Sequence, residues 1–369
     1  GTSDIDLVDR FEGTPIATPD LHLVNLRNAP FGTVLSGAMQ EGIADALAGR
    51  QGVLLFLNRR GFAPALLCRG CGQAPQCRRC SVTLTFHRRP GMLGCPYCGQ
   101  SQGLPETCPA CQAPQLEPVG FGTEQVEEEV RRRWPRARLV RLDRETAAST
   151  ARAQAMRRLA GGGEFDIVIG TQMVLHGSCL PTVGFVGFPD ADAGLHLPDF
   201  RAAERTYHAL TDALSRLQAT DGRGAAVLQT RLPSHHVIRA VNAGRPQIFY
   251  DEEMAYRREL GYPPFVHLIS LAVSSPDPES ARRGATTWAT LVNEQTVRNG
   301  LGQDEVVVLG PVPAPLPRLR GRHRWHILVK GKDRNTTRDL VARTMPELPA
   351  RAGTGGLKFD VDVDPVALM

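Results

Sequence analysis

The residues of this chain that could do chemistry are its cysteines, and their spacing is typical of metal binding. Eight of the nine cysteines form four Cys-x-x-Cys pairs, and only Cys179 lies outside them. Each such turn points two sulfurs the same way, as half of a tetrahedral zinc site requires. The pattern therefore predicts two structural sites of four cysteines each, holding two Zn²⁺. The ligands are Cys68, Cys71, Cys77, Cys80, Cys95, Cys98, Cys108 and Cys111.

Other uses of paired cysteines explain the pattern less well. A disulfide framework is typical of secreted chains, and no signal peptide is recognisable here. A thioredoxin-like redox site needs one such pair after a strand, whereas this chain has four in series. Because a closed shell of four thiolates leaves no open coordination position, we expect the module to hold its shape and to do no chemistry.

Four pairs can combine into two sites in three ways, of which we favour nesting. The chain would then enter and leave the module at one outer site, which would attach it to its host domain. The sequential pairing stays open as an alternative. In the nested scheme the outer site is Cys68, Cys71, Cys108 and Cys111, and the inner site is Cys77, Cys80, Cys95 and Cys98.

Length and composition suggest an ordinary globular chain of about two domains. The chain has 369 residues, of which 42% are hydrophobic and 22% charged, and no run is long enough to span a bilayer. We expect no membrane association and a cytoplasmic, nucleoid-associated location. The formal charge of +5 is too small to indicate nucleic-acid binding without local clustering.

The elements that position the cysteines alternate between strands and helices, which predicts a doubly wound α/β lobe. The zinc segment would be an insertion after the first buried strand. Strands are expected at 53–57, 137–142, 166–169, 183–188 and 225–230, with helices at 35–47, 124–133, 151–159 and 201–217.

A second unit is expected after a helix at 248–260. Its order β-α-β-β-α-β is that of a ferredoxin-like split βαβ domain. The proline-rich stretch Pro311–Pro317 is expected to be a long stiff loop between the two middle strands. Strands are expected at 266–273, 305–309, 323–329 and 357–363, with helices at 278–298 and 336–343.

These elements divide the chain into four expected regions. The α/β lobe would be interrupted by the zinc insertion and followed by the second unit. The regions are an N-terminal segment or linker at 1–33, the α/β lobe at 34–67 and 117–232, the zinc insertion at 68–116 and a C-terminal domain at 233–369.

Two strand-end turns are candidate DNA contacts, because ligands bind at the carboxyl ends of strands in open α/β sheets. The first carries Arg59 and Arg60, and the second carries Thr171 and Gln172. These guanidinium, hydroxyl and carboxamide groups suit phosphates. The alternative is that both are ordinary solvated turns.

The densest basic stretch is a candidate partner-binding surface. Its arginines suit DNA phosphates or the acidic tail of a protein, and its indole could stack or pack. The arginines of the zinc segment are more simply explained as solvated charge. The partner-binding candidates are Arg318, Arg320, Arg322, Arg324 and Trp325.

Nucleotide hydrolysis by the P-loop route is not expected of this chain. No G-x-x-x-x-G-K-[ST] motif occurs, and no Asp-Glu pair follows a strand. Four carboxylates could form an acid–base set, but a strand-end turn followed by a helix cap explains them better. These are Asp190, Asp192, Asp199 and Glu204.

Taken together, these motifs resemble those of the PriA family, the bacterial replication-restart helicases. The matching pieces include L-F-L-N-R-R-G-F-A-P-A-L-L-C, the four cysteine pairs, G-F-G-T-E-Q, I-G-T-Q-M, P-D-F-R-A-A-E-R and V-L-G-P-V-P-A-P-L, in order from about residue 50 to 365. The resemblance implies that the α/β lobe is similar to the second lobe of a helicase, and that the zinc sites are nested.

The resemblance also implies what the chain binds. The expected ligand is branched or single-stranded DNA. The expected protein partners are single-strand-binding protein and the replicative helicase or its loader. We expect the chain to be a monomer.

The departures from the family pattern concern the parts of a helicase that bind and hydrolyse ATP. The first helicase lobe, with its phosphate loop, is not found in this chain. Where the family's last helicase motif reads Q-V-A-G-R-A-G-R, this chain retains Arg216 but has Asp212 for the glutamine and Ala219 for the second arginine. Loss of an arginine that stabilises a transferring phosphoryl group costs on the order of 10³–10⁵ in rate.

The sequence thus predicts a PriA-like protein with a degenerate helicase lobe, which binds DNA and primosome partners without ATPase activity. One alternative is an active ATP-dependent 3′→5′ DNA helicase of which this chain is a part. Another is a zinc-ribbon protein that prefers RNA.

Overall fold

A computed structural model describes most of the chain, and the statements below concern that part. The described residues are 20–30, 32–58, 66–87, 91–114, 116–118, 122–142, 165–174, 183–217, 224–353, 356–366 and 368.

The strands of the described part are numbered here in chain order. They are β1 (Asp20–Asn25), β2 (Val53–Phe56), β3 (Leu66–Cys68), β4 (Thr85–His87), β5 (Met92–Gly94), β6 (Ser101–Gly103), β7 (Leu116–Pro118), β8 (Leu139–Leu142), β9 (Ile167–Gly170), β10 (Phe185–Phe188), β11 (Ala225–Thr230), β12 (His267–Ser275), β13 (Val306–Leu319), β14 (Arg322–Gly331) and β15 (Lys358–Val363).

The chain forms two compact units, each built from several segments. The zinc segment shares a unit with the C-terminal residues. The first unit is Gly1–Arg60, Gly120–Leu195 and Ala203–Phe249, and the second is Gly61–Val119, His196–Ala202 and Tyr250–Met369.

The first unit is built on a six-stranded parallel sheet with the order β1-β11-β10-β2-β9-β8. Leu54 and Phe56 of β2 face one apolar core, whereas Val53 and Leu55 face another, so both faces of the sheet are covered. Strands buried on both faces need the continuous apolar runs that the sequence showed.

Three helices of the first unit lie where the sequence predicts them, whereas helix His236–Ala243 was not predicted. Helix Gly37–Ala48 begins at Ser36, whose hydroxyl accepts from the Met39 amide, and buries Met39 and Ile43. The helix expected at 151–159 lies outside the described residues. The other helices are Thr123–Arg133, Ala202–Leu214 and His236–Ala243, with 3-10 turns at Leu26–Asn28 and Gln172–Val174.

The described end of the segment expected to be an N-terminal linker is instead part of the sheet. Asp20–Asn25 forms the edge strand β1, parallel to β11. Leu21 and Leu23 of this strand pack against the core of the unit. The alternation in D-L-H-L-V-N is too short to stand out in the sequence, and its pairing with β11 is not local.

The second unit contains a four-stranded antiparallel sheet with the order β13-β14-β12-β15. Helix Pro278–Arg298 connects β12 to β13, and helices Arg334–Thr344 and Leu348–Ala352 connect β14 to β15. Helix Pro246–Glu259 precedes β12 along the chain.

The two faces of this sheet are covered by different parts of the chain. Ile269 and Leu271 face the core formed with the helices. Leu268, Leu309 and Leu328 face a core that contains the inner cysteines of the zinc segment. The zinc segment itself carries the short strands β3 to β7, of which β3 pairs with β7 and β4, β5 and β6 form a small antiparallel sheet.

The expectation that Pro311–Pro317 forms a loop is wrong, because these residues belong to β13. Proline has no amide hydrogen to donate, so it is tolerated in a strand only where that donor is not needed. Among the described strands, β13 lies at the edge of its sheet and pairs with β14 alone. The pairing of β13 with β14 is irregular at two places, between Leu309 and Val312 and between Pro313 and Arg318, and three of the four prolines lie in these irregular stretches.

Candidate metal centres

All four cysteine pairs adopt the same backbone turn. In each, the amide after the second cysteine donates to the carbonyl of the first, at N···O distances of 2.7–3.1 Å. The amide of the first cysteine donates to a carbonyl five residues later, at 2.8–2.9 Å. These bonds close a six-residue loop that leaves both sulfurs on one side. The donors of the first set are Gly72, Ser81, Gly99 and Gln112.

The residue after each pair has a left-handed backbone. Its φ is +77° at Gly72 and +75° at Gly99, which glycine adopts without strain. The same turn holds Ser81 at φ +50° and Gln112 at φ +62°. The left-handed turn that suits glycine after two of the pairs is thus common to all four.

The sulfurs gather in nested sets. Within each set the four sulfur atoms lie within 4.8 Å of one another. The sulfur–sulfur separations include Cys68–Cys111 at 3.5 Å and Cys71–Cys108 at 3.7 Å in one set, and Cys77–Cys98 at 3.7 Å in the other. The outer cluster is Cys68, Cys71, Cys108 and Cys111, and the inner cluster is Cys77, Cys80, Cys95 and Cys98.

The two clusters fit a tetrahedral thiophilic cation. Four sulfurs at Zn–S about 2.3 Å stand roughly 3.8 Å apart, close to the separations found. A disulfide needs sulfurs about 2.05 Å apart, far closer than these, and none of the eight cysteines is in a disulfide. Backbone amides of Gly70, Tyr97 and Ala110 donate to cysteine sulfurs at 3.3–3.4 Å, which stabilises thiolates.

Without a cation, the protein holds several of these thiols neutral. Burial raises the pKa of the Cys71 thiol to about 12. The hydrogen bond with Cys77 raises the pKa of Cys95 to about 12 as well. A divalent cation must therefore displace protons to bind, so its affinity should rise with pH.

Side chains of the C-terminal residues hold the inner cluster in place by hydrogen bonds to backbone carbonyls of the zinc segment. Tyr262 donates its hydroxyl to the Cys80 carbonyl, and Tyr256 donates to the Ser81 carbonyl, each at 2.7 Å. The ring Nε2 of His326 on β14 lies 2.5 Å from the Pro96 carbonyl, and burial lowers the pKa of this histidine. Since a carbonyl only accepts, His326 carries its proton on Nε2.

Stacked aromatic rings pack beside these hydrogen bonds between the zinc segment and the C-terminal residues. Phe200 lies parallel to Tyr262 with ring centroids 4.8 Å apart, and its amide donates to the Tyr97 hydroxyl at 3.1 Å. The Lys330 ammonium lies 4.0 Å from the centroid of the Tyr262 ring and donates to the Leu260 carbonyl. Burial lowers the pKa of Lys330 to about 8. Each of these polar groups therefore has a partner at the contact.

Sequence reasoning missed these docking residues. Tyr262 lies 182 positions from Cys80, and His326 lies 230 positions from Pro96. Nothing in the local pattern connects such pairs, although Tyr262 does fall in the Y-P-P-F turn beside the start of the C-terminal sheet.

The candidate DNA contacts are described only in part. Arg59 and Arg60 lie outside the described residues. Thr171 and Gln172 follow β9, and the Gln172 carboxamide donates to the Asn58 Oδ1 at 3.1 Å. Asn58 is buried and donates in turn to the Thr206 hydroxyl at 3.1 Å. The carboxamide of Gln172 is thus fixed at the carboxyl edge of the sheet, and its role in DNA contact stays a prediction.

The basic stretch forms the tip of the β13–β14 hairpin. Arg320 and Gly321 make a two-residue turn, both with positive φ. Arg318 and Arg320 are exposed, whereas Arg322 donates to the carbonyls of Ser274 and Gly356.

The other two residues of that surface are less exposed than the tip. Arg324 is half-buried, and Trp325 packs against the core formed with the helices. The surface therefore offers mainly the two arginines at its tip, and its role in partner binding stays a prediction.

The carboxylates considered as an acid–base set include two with structural contacts. Asp192 is buried and accepts hydrogen bonds from the Thr230 hydroxyl and the Arg231 amide. Burial, reinforced by Asp190, raises the pKa of Asp192 to about 7. Asp199 accepts from the Arg201 amide just before a helix.

Two further expectations concern the motor motif and membranes. Arg216 is half-buried just after helix Ala202–Leu214, and its carbonyl accepts from the Val183 amide. Ala219 lies outside the described residues. Among the described helices, none combines the length and the apolar character needed to cross a bilayer.

Comparison with family models finds two matches. Residues 258–366 match the family described as "Primosomal protein N C-terminal domain", and residues 77–102 match the "PriA DNA helicase Cys-rich region (CRR) domain". The second match covers the inner cysteine cluster.

Curated relatives named "Replication restart protein PriA" match most of the chain. The protein of Bacillus subtilis (strain 168) is 32% identical over 95% of this chain and 43% of its own length. The protein of Treponema pallidum (strain Nichols) is 36% identical over 86% of this chain and 47% of its own length. The protein of Thermotoga maritima is 32% identical over 94% of this chain and 45% of its own length. The chain spans about half the length of the curated relatives it matches.

A solved structure also matches, more distantly. It is the C-terminal domain of the DEAD-box protein Dbp5, with a TM-score of 0.29 and 12% sequence identity, and the match covers 64% of this chain and 87% of that one. The relatives and both family models agree with the motifs read in the sequence, and they confirm the predicted resemblance: the chain contains two domains of the PriA family, and most of its length is similar to curated PriA proteins.

Proposed function

We propose that this chain works in replication restart by binding branched or single-stranded DNA and recruiting replication partners, without hydrolysing ATP itself. The observation that carries the proposal is the collinear match to proteins named for replication restart, which includes both the cysteine-rich segment and the C-terminal sheet. The proposed partners are single-strand-binding protein and the replicative helicase or its loader. We further propose that the chain is monomeric and associates with the nucleoid in the cytoplasm.

Each cysteine cluster is proposed to hold one Zn²⁺. The cation supplies cross-links between distant parts of the segment and has no open position for chemistry. The protein contributes four thiolates per site, amides that donate to the sulfurs, and the six-residue loops that orient them. Thus the metal sites support binding surfaces and take no part in a reaction.

The strand orders support the finer description of the fold. In the second unit, the order β13-β14-β12-β15 with helices after β12 and β14 is the one expected for a ferredoxin-like domain. In the first unit, strands are added on both sides of β2, as in a doubly wound sheet.

DNA contact is proposed at the carboxyl edge of the parallel sheet, through Arg59, Arg60, Thr171 and Gln172. Replacing both arginines by glutamine should weaken binding to a forked oligonucleotide and reduce its salt dependence by about two phosphate contacts. Fluorescence anisotropy across a salt series measures both. Arg245→Gln, at another exposed arginine of the first unit, is the matched control and should change neither.

The absence of ATPase activity is proposed on sequence grounds. The 369 residues contain no phosphate-loop motif, and Ala219 stands where the family has an arginine. The test is ATP turnover by this chain with and without forked DNA, with a full-length PriA relative as positive control. We expect no turnover above background, and DNA-stimulated turnover of even about 1 per second would refute the proposal.

The second candidate is an ATP-driven 3′→5′ DNA helicase of which this chain is a part. The word "helicase" in the description of the cysteine-rich family favours it. The assay that separates the two candidates is ATP turnover by the full-length protein with and without forked DNA, because only the helicase requires turnover that depends on DNA.

A further inference from the structure

A cavity of about 860 Å³ opens in the first unit at the amino-terminal edge of its parallel sheet. Gly52, Arg138 and Asp166 line it, and each lies directly before a strand: β2, β8 and β9. The candidate DNA contacts follow the other ends of β2 and β9, so the cavity belongs to the opposite edge. Its volume is within the usual range for small-ligand sites.

The cavity has apolar walls that include an indole. Leu47, Phe165 and Trp134 line it. Phe165 is buried, whereas Trp134 is half-buried against the core, which leaves part of its ring open to the cavity. A partly exposed indole offers a flat face on which an aromatic ring can stack.

The rim is strongly basic. Of the described residues, four arginines and one carboxylate, Asp166, line the cavity. Arg138 pairs with Asp166 at 2.9 Å, and Arg133 pairs with a glutamate of its own helix at 2.7 Å. Arg50 and Arg136 are exposed, and within the described part of the chain their side chains make no hydrogen bond or ion pair. These two guanidinium groups are available to a ligand.

The negative ends of two helix dipoles oppose the positive charge of these arginines only weakly. Helices Gly37–Ala48 and Thr123–Arg133 both end beside the cavity, and each C-terminus carries a partial negative charge of about half a unit. Together they amount to about one negative charge. The two unpaired arginines exceed it, so the cavity remains favourable for an anion.

We propose that this cavity binds a nucleotide, with the phosphate at Arg50 and Arg136 and the base against Trp134. Arginine pairs suit phosphate oxygens, and indoles stack on bases of any sequence. An acidic peptide would satisfy the arginines but would leave the indole without a flat partner. The ligand has two possible sources, a free nucleotide or the phosphorylated end of a DNA strand. The inference is independent of the proposed function above.

The test is isothermal titration of the whole chain at low salt with four probes. These are dAMP, inorganic phosphate, and a single-stranded oligonucleotide with and without a 5′ phosphate. We expect saturable binding of dAMP, and weaker binding of inorganic phosphate because it lacks the base. Preference for dAMP identifies a free nucleotide as the ligand, and preference for the 5′-phosphorylated strand identifies a strand end.

Variants separate this cavity from other basic surfaces. The double change Arg50→Gln and Arg136→Gln should weaken dAMP binding at least about tenfold, as expected for lost charge-assisted hydrogen bonds. Trp134→Phe should weaken dAMP binding and leave phosphate binding unchanged. Arg245→Gln is the matched control, and thermal unfolding verifies that each variant is folded. The proposal is overturned if dAMP does not bind saturably, if it binds no better than inorganic phosphate, or if Arg245→Gln weakens dAMP binding as much as the double arginine change does.

Discussion

The conformation of each cysteine pair depends on the residue that follows it. Gly72 and Gly99 adopt positive φ freely, whereas Ser81 and Gln112 do so at a cost. The local spacing of the cysteines was sufficient to predict the ligands, because a Cys-x-x-Cys turn is a short-range structure. The pairing depends on where the chain returns, so the spacing alone allowed three pairings; nesting was the one favoured, and the structure confirms it.

The pairing can be checked one cysteine at a time. Cys68→Ser and Cys111→Ser should each lower the zinc content from two ions to one per chain and leave the inner cluster filled, because both lie in the outer cluster. Metal analysis of carefully reduced protein measures the loss. Combining the two changes should remove no further ion, whereas combining Cys68→Ser with Cys80→Ser should remove both. If Cys68→Ser and Cys80→Ser together cost only one ion, the sequential pairing is correct.

Asp192 should make the first unit less stable as the pH rises. Its pKa is raised to about 7 in the folded protein, from about 3.9 in an unfolded chain. Between these two pH values the carboxyl of Asp192 is protonated in the folded state and ionised in the unfolded state. Its contribution to the free energy of unfolding is therefore fully present below about pH 4 and is lost as the pH rises to about 7. Asp192→Asn, which cannot ionise, should flatten this decline. Urea unfolding from pH 4 to 8 measures it, and identical slopes for variant and parent would contradict the assignment.

At the scale of helices and strands, segments with a strong apolar pattern were predictable from the sequence, whereas the order in which strands pair in a sheet was not. The strand at Ala225–Thr230 and the helix Pro278–Arg298 have the predicted bounds, because their apolar patterns are continuous. Pro311–Pro317 was misjudged, since proline is a poor strand residue everywhere except at an edge. Whether a strand is at an edge is a property of the sheet order, which local sequence does not contain.

The contact between the zinc segment and the four-stranded sheet is testable at Tyr262. Tyr262→Phe keeps the ring against Phe200 and removes the hydroxyl that donates to the Cys80 carbonyl. It should lower the free energy of unfolding by about 1–3 kcal/mol, because a buried carbonyl loses its donor. Chemical denaturation measures the change. Thr290→Val, which removes a hydroxyl from an exposed position of helix Pro278–Arg298, is the control and should cost less than about 0.5 kcal/mol. An equal effect at both positions would argue against the docking role.

The whole molecule contains separate apolar cores, and the zinc segment belongs with the second unit. Alternating strands and helices predicted an α/β lobe and a C-terminal domain, with the zinc segment as a separate insertion between two parts of the lobe, and they did not predict which of the two domains it packs against. The structure assigns it by burial: its inner cysteines, with Tyr97 and Leu93, cover the face of the sheet that carries Leu268 and Leu328. The inner metal site is therefore expected to stabilise a sheet that lies far from it in sequence.

Removal of zinc should consequently affect one unit much more than the other. With both clusters emptied by EDTA, the second unit loses its cross-links and exposes the apolar face carrying Leu268 and Leu328, whereas the first unit has no metal ligand among its described residues. Hydrogen exchange with mass spectrometry should show faster exchange in β12 and β14 and unchanged exchange in β2 and β10. Cys111→Ser, which disrupts only the outer cluster, is the control and should leave β12 and β14 largely protected. No acceleration in β12 and β14 would show that the inner cluster does not stabilise the C-terminal sheet, and equal acceleration in both sheets would contradict the selective effect.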